Sequence, residues 1–175
     1  MKIIVRLATS EDAASLAALE VTVWRVAYRG LMPDAFLDAL SQAEKTIEWR
    51  QNLLKHGLFG RKRVLVAVEN ADIIGFVRVG AVDDEGERGL VYLLYILPAY
   101  WGQGVGKMLM HAAIDELRDL GMDEALLWVL RANQRARAFY ASLGWRPDGR
   151  TTTADYGGIE LEALCYRRTL KAEKA

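Results

Sequence analysis

Cysteine, histidine and proline are scarce in this sequence. Of its 175 residues, one is cysteine, two are histidine and three are proline. Cys165 cannot form a disulfide within the chain, and with His56 and His111 as the only histidines there is no Cys/His cluster at metal-ligand spacing. We therefore expect neither a structural disulfide nor a metal site. A reducing compartment, the cytoplasm, fits this composition best.

The sequence also lacks an excess of charge of one sign and long apolar runs. Lys plus Arg and Asp plus Glu number 23 each, so the chain lacks the positive field by which proteins usually bind nucleic acids or anionic membranes. The first apolar run, Ile3-Ile4-Val5, ends at Arg6 and is too short for the core of a signal peptide. We therefore expect a small-molecule or protein partner, with no nucleic acid and no membrane.

What remains is the composition of an ordinary globular protein. Hydrophobic residues make up 52% of the chain and charged residues 26%, and the length suits one domain that folds around a single core. We assign residues 1–170 to that domain and residues 171–175 to a charged C-terminal tail.

Helical and strand periodicities alternate along the chain. The first half predicts a strand at Ile3–Leu7, a helix over Ser10–Tyr28 that begins with a Thr9 and Asp12 capping pair, two short helices within residues 34–56, and a hairpin of Val64–Val68 with Ile73–Val79. The second half predicts a strand at Leu90–Leu97, a helix from Val105 to a C-cap at Gly121, a strand at Ala125–Leu130, a helix closed by Gly144, and one or two final strands that include Ile159–Cys165. This order predicts a mixed α/β sandwich.

A glycine-rich turn joins the strand before it to the longest helix of the second half. Gly102, Gly104 and Gly106 lack side chains, so backbone N–H groups at the helix start can approach an anion such as a pyrophosphate. A P-loop would need glycine in place of Trp101 and Ser or Thr in place of Met108, and a dinucleotide fingerprint would need glycine in place of Lys107. The remaining alternatives are another phosphate-bearing ligand or a turn shaped by glycine alone.

Two sequence blocks resemble the GNAT superfamily of N-acetyltransferases. The first block is Trp101-Gly102-Gln103-Gly104-Val105-Gly106. It is similar to the family's cofactor loop, whose pattern is (Arg/Gln)-x-x-Gly-x-(Gly/Ala). The one departure is Trp101, which stands where the family has Arg or Gln. Asn133 to Trp145 is similar to the family block Asn-x-x-Ala-x-x-Phe-Tyr-x-x-x-Gly-Phe, with Trp145 in place of the common Phe. Together the matches cover about Tyr92 to Trp145.

The resemblance implies a fold and a reaction. The fold would be a single GNAT-like α/β (α+β) domain with a mixed, mostly antiparallel sheet of six to seven strands, flanked by about four helices and splayed between strands four and five. The reaction would be transfer of an acetyl group from acetyl-CoA, a co-substrate, to a primary amine of a small molecule or a protein terminus, without a metal. Homodimers are common among proteins of this kind, so a homodimer is among the expected assemblies.

The resemblance also nominates site residues. Tyr140 would protonate the departing thiolate, and a backbone N–H near Ile96, at a bulge in the fourth strand, would stabilise the oxyanion. The predicted cofactor contacts are Leu94, Tyr95, Ile96, Gly102, Gln103, Gly104, Val105, Gly106, Lys107 and Asn133. Tyr140 could instead be a core residue, and Asn133 could also cap the helix that it begins.

The acceptor site and the base are less defined. In the family, acceptor recognition falls in the first two helices and the last hairpin, where this chain has Trp24, Tyr28, Leu31, Met32, Phe36 and Tyr156; we predict Trp24 and Tyr28 as the contacts. The strand Leu90–Leu97 contains no carboxylate or histidine, and the acidic turn of Asp83, Asp84, Glu85 and Glu87 is more typical of a solvated loop. A water relay or an amine that arrives neutral would then replace a protein base. A non-catalytic acyl-CoA-binding module is the alternative function.

Overall fold

The computed structural model describes residues 2–56, 61–82 and 88–171. Within these ranges the chain forms seven strands, β1 (Ile4–Leu7), β2 (Lys62–Glu69), β3 (Asp72–Ala81), β4 (Arg88–Ile96), β5 (Glu124–Leu130), β6 (Arg146–Asp155) and β7 (Glu160–Thr169). It also forms five α-helices, α1 (Ala13–Ala27), α2 (Asp34–Asp38), α3 (Gln42–His56), α4 (Val105–Asp119) and α5 (Gln134–Ser142). In the part of the chain that is described, no helix is long and apolar enough to span a lipid bilayer.

The seven strands form one sheet in the order β1-β2-β3-β4-β5-β7-β6. Every neighbouring pair is antiparallel except β4 and β5, which are parallel. This is the predicted fold class. The five described helices include α2 and α3, the two helices that the sequence predicted within residues 34–56, whereas the family resemblance implied about four in all.

The sheet opens between its two parallel strands. Only Arg88–Val91 of β4 pairs with β5, at residues 124–127. Just beyond, β4 contains a bulge: Val79 of β3 pairs with Val91 and Arg78 pairs with Leu93, so Tyr92 is the extra residue. A bulge bends its strand and increases the local twist. The splay is where it was predicted, but the bulge lies at Tyr92 and not near Ile96.

Two apolar layers cover the sheet. One face packs against α4 and α5 in a core that includes Leu109, Met110 and Leu117, and the other packs against α1 and α3 around Leu16, Trp49 and Phe76. Alternation of side chains along the strands sends neighbouring residues of β4 into different layers: Ile96 contacts the first core and Tyr95 belongs to the second. The gap between β4 and β5 therefore connects the two layers.

The bounds of several elements differ from the sequence predictions. The first helix begins with a separate 3-10 turn at Ser10–Asp12, where Asp12 accepts a hydrogen bond from the Thr9 N–H at 2.7 Å, as the capping pair predicted. The last strand runs on to Thr169. The strand β6 was not delimited from sequence, because nearly all of its residues are exposed and it has no apolar alternation. Gly57, Gly60 and the acidic turn lie outside the described residues, as do residues 172–175 of the predicted tail.

Candidate active site

The opening between β4 and β5 leads into a cavity of about 900 Å³. Twelve of the predicted site residues line it: Trp24, Tyr28, Leu94, Tyr95, Ile96, Gly102, Gly104, Val105, Gly106, Lys107, Asn133 and Tyr140. Gln103 is the exception, since its exposed side-chain Nε2 donates a hydrogen bond to the carbonyl oxygen of Ala99 at 2.7 Å. The fold thus brings the predicted site together apart from the Gln103 side chain.

The glycine loop forms one end of this cavity. Gly102 and Gly104 have φ of 77° and 85°, a conformation that is strained for other residues, and Gly104 is the N-cap of α4. The Met108 N–H donates to the Gly104 carbonyl at 3.0 Å, so the N–H groups of the three residues between them have no partner in the helix. The positive end of the α4 dipole therefore borders the cavity, as an anion site requires.

The exposed edge of β4 forms the cavity wall next to this loop. The Leu97 N–H donates to the Ile74 carbonyl at 2.9 Å. Because antiparallel ladders alternate, the backbone groups of Leu94 and Ile96 then point away from β3 and into the gap. The Ile96 carbonyl already accepts a hydrogen bond from Trp101 Nε1 at 2.7 Å. The N–H groups of Leu94 and Ile96 are therefore the donors that this edge offers to a ligand.

Tyr140 enters the cavity from α5. Asn133 caps this helix, its Oδ1 accepting from the Ala136 N–H at 3.0 Å, so its structural role is present while it also lines the cavity. The Tyr140 ring packs edge-on to Phe139 and Trp145, with centroids 5.4 and 6.4 Å away. Burial raises the pKa of Tyr140, with a smaller contribution from Tyr28. The phenol is therefore neutral throughout the physiological range, and it can act as a hydrogen-bond donor.

Comparison with known proteins identifies the family. Residues 24–145, well over half of the chain, match the family model described as acetyltransferase (GNAT) family. The chain belongs to the GNAT family of acetyltransferases. YuaI of Bacillus subtilis, an uncharacterized N-acetyltransferase, is 29% identical over 131 residues, which are 74% of this chain and 72% of that protein. The predicted enzyme class, N-acetyltransferase, is thereby confirmed.

Solved structures confirm the fold. The PaiA N-acetyltransferase from Thermoplasma acidophilum, in complex with coenzyme A, has a TM-score of 0.82 at 19% identity and covers 97% of this chain and 99% of its own. YncA of Salmonella typhimurium, with its cofactor acetyl-CoA, has a TM-score of 0.74 at 19% identity and covers 100% of this chain and 98% of its own. Both neighbours hold the coenzyme that the glycine loop of this GNAT domain was predicted to bind.

Aromatic side chains line the part of the cavity next to α1: Trp24, Tyr28, Tyr95 and Tyr156 are lining residues. The Trp24 ring has four neighbours, with centroids 5.1 Å away at Tyr28, 6.5 Å at Phe36, 6.5 Å at Tyr95 and 6.2 Å at Tyr156. These rings, which we call the aromatic cluster, come from α1, α2, β4 and the β6–β7 turn. Burial raises the pKa of Tyr28 to about 12 and that of Tyr95 well above its ordinary value. Tyr28 and Tyr95 are therefore uncharged at physiological pH.

Carboxylates and histidines are missing from the cavity lining that the structure describes, where Lys107 and Arg135 are the charged residues. Glu20 is a nearby buried carboxylate on α1, but its oxygens are held by Trp49 Nε1 at 2.7 Å and Lys45 Nζ at 3.6 Å, outside the lining. The described residues that flank the acidic turn, Val82 and Arg88, lie at the end of β4 away from the cavity. No described residue of this acetyltransferase is thus placed as a carboxylate or imidazole base.

Several residues that line the cavity were given no role from sequence, and Trp128 and Arg135 are two of them. Trp128 of β5 is 41% exposed at the cavity, although its strand reads as fully buried; the splay that exposes it is a tertiary feature. Arg135 lies inside the Asn133 to Trp145 block and was given no role. Its position in the first turn of a helix that begins at the site was the signal available.

Proposed function

We propose that this GNAT domain transfers the acetyl group of acetyl-CoA to a primary amine, carried by a small molecule or a protein terminus, by direct attack. The observation that carries the proposal is the continuity of the cavity, which runs from the glycine loop past the free edge of β4 and Tyr140 to the aromatic cluster. A thioester held along that edge would face an amine held by the cluster.

The residues around the loop fit the cofactor. Unpaired N–H groups at the start of α4 suit its pyrophosphate. The outward N–H and C=O groups of Leu94, together with the Ile96 N–H and Asn133, suit the amides of its pantetheine arm. The cofactor supplies an acetyl group activated as a thioester.

Each chemical need of the reaction has a candidate group. The amine nitrogen bonds to the acetyl carbon, and the Leu94 or Ile96 N–H stabilises the oxyanion of the tetrahedral intermediate. The carbon–sulfur bond then breaks, and Tyr140, which has no hydrogen-bond partner among the described residues, donates its proton toward the departing sulfur. The amine releases one proton, which passes through water and replaces the proton that Tyr140 has given to the sulfur. An amide and a free thiol are formed, and the phenol is restored.

The acceptor binds against Trp24 and Tyr28 in this proposal. These residues lie four positions apart on the last turn of α1 and at its C-cap, so both rings face the same side. The uncharged rings offer apolar contact to the acceptor and favour the unprotonated amine, which is the nucleophile.

The deciding experiment measures free thiol released from acetyl-CoA across a panel of primary amines. Wild-type protein should release thiol with at least one amine. Tyr140→Phe should lower kcat by about 100-fold and leave the Kd for coenzyme A unchanged. Tyr166→Phe is the matched control, because it removes a buried phenol whose oxygen accepts from Arg137 Nε outside the cavity. Tight coenzyme A binding without thiol release from any amine would instead favour the non-catalytic module.

A further inference from the structure

The Arg135 guanidinium lies over the ring of Trp101, the one side chain of the glycine loop that departs from the family pattern. Its guanidinium carbon is 3.3 Å from the centroid of the Trp101 ring. The ring is itself fixed, since Trp101 Nε1 donates to the Ile96 carbonyl at 2.7 Å. The stack therefore links the first turn of α5 to the loop and to the end of β4.

The charge of Arg135 is not neutralised by any described residue. The two other arginines of this region have partners: Arg131 forms a salt bridge with Glu162, and Arg137 donates to the Tyr166 hydroxyl at 3.3 Å and to the Arg131 carbonyl at 3.1 Å. Within the described ranges, Arg135 makes neither a hydrogen bond nor an ion pair. Arg135 is an exposed residue. Desolvation of part of its side chain lowers its pKa, but a guanidinium remains protonated in proteins.

Positive charge accumulates at this end of the cavity. Arg135 and Lys107 both line it, beside the N-terminus of α4 with its unpaired N–H groups. Among the described lining residues no carboxylate offsets these charges. When the face of a guanidinium packs on an aromatic ring, its N–H groups still point outward in the plane of the guanidinium. They can then bind an oxyanion in bidentate fashion.

We infer that Arg135, oriented by Trp101, binds phosphate oxygens of coenzyme A and supplies from α5 the hydrogen-bond donors that an Arg or Gln at position 101 would offer. The inference rests on the proposed function only in taking coenzyme A as the ligand. It gives Trp101 a positioning role: the indole holds the guanidinium at the mouth of the cavity, so the replacement of Arg or Gln by Trp is compensated by a residue 34 positions later.

The test is calorimetric titration of the full chain with coenzyme A. Arg135→Ala should raise the Kd about 10- to 100-fold, the range for hydrogen bonds to a charged group, and Arg135→Lys should recover only part of the loss because an ammonium cannot stack or bind in bidentate fashion. Trp101→Phe keeps a ring but removes the bond to Ile96, and it should weaken binding less than Arg135→Ala. Arg131→Ala, which removes a neighbouring exposed arginine already paired with Glu162, should bind like wild type.

Truncated ligands identify the phosphate. If Arg135 contacts the pyrophosphate, dephospho-coenzyme A should show the same loss with Arg135→Ala; if it contacts the 3′-phosphate, the loss should disappear with that ligand. Pantetheine, which has no phosphate, should bind wild type and variant equally. A Kd for coenzyme A within twofold of wild type, or an equal loss with pantetheine, would overturn the inference. Failure of the proposed function is a different result, in which wild type binds coenzyme A and releases no thiol.

Discussion

Phe139 of α5 packs directly against Gly106 in the first turn of α4. A Cβ atom on residue 106 would lie 3.2 Å from Phe139 Cζ and 3.3 Å from Ile96 Cδ1. This contact sets the distance between the helix that carries Tyr140 and the loop that is proposed to hold the pyrophosphate. Close packing therefore favours glycine at position 106, whereas positive φ favours it at positions 102 and 104.

Gly106→Ala should weaken coenzyme A binding in a protein that still folds. A helical alanine is favoured over glycine by about 1 kcal/mol, which offsets part of the overpacking against Phe139, typically about 1–3 kcal/mol. We expect the free energy of unfolding in urea to fall by no more than about 2 kcal/mol while the Kd for coenzyme A rises at least about tenfold. Adding Phe139→Leu should restore affinity by making room, and an unchanged Kd in the single variant would contradict the packing role.

Gly157→Ala should affect the acceptor end of the cavity and leave the cofactor end unchanged. Gly157 has φ of 67°, and a Cβ there would lie 2.8 Å from the Cβ of Phe36, a member of the aromatic cluster. The strain and the clash together should cost about 1–3 kcal/mol of unfolding free energy. The KM for the amine should rise while the Kd for coenzyme A stays the same. Gly158→Ala, which also has positive φ but nothing within 4 Å, controls for strain without the contact.

The ion pair of Asp12 with Arg6 should make the free energy of unfolding fall as the pH is lowered through the acidic range. Hydrogen bonds at 2.7 and 3.0 Å from Arg6 lower the pKa of Asp12, which is also the capping carboxylate before α1. Because the folded pKa is below the unfolded value of about 3.9, the stabilisation is present above that value and is lost as pH falls through the folded pKa. Asp12→Ala should cost about 1–2 kcal/mol at pH 7.

The measurement is urea unfolding of both proteins at pH 7 and in a series down to about pH 3, below the unfolded pKa. The difference between wild type and Asp12→Ala should shrink toward the acid end. Asp115→Ala removes an exposed carboxylate paired with Arg118 on α4 and serves as the control. A gap that is constant with pH would mean that Asp12 acts through packing and not through its charge.

Most of the helices and strands could be predicted from the sequence, but only part of the candidate site could. Apolar periodicity and the C-cap glycines Gly121 and Gly144 delimited the elements that carry the cofactor loop and Tyr140, because those signals are local. The exposed strand β6 has no apolar alternation, so nothing local marked it. The contact between Arg135 and Trp101 joins helix α5 to the glycine loop before α4. These two segments are far apart in sequence and are brought together by the fold. No spacing rule predicts such a contact.

The pH dependence of catalysis should follow the amine and not the protein. The described cavity lining has no carboxylate or histidine, and the pKa of Tyr28 is raised to about 12, so the fraction of unprotonated amine is expected to control kcat/KM. That fraction rises with pH up to the pKa of the amine, about 10.4 for a lysine-like side chain and about 8 for an α-amino group. With two accepted amines that differ in this way, the inflection in kcat/KM should move by about two pH units. An inflection at the same pH for both amines would instead show that a group of the protein titrates. Variants of the acidic turn would then be tested for loss of that inflection, at Asp83, Asp84, Glu85 and Glu87.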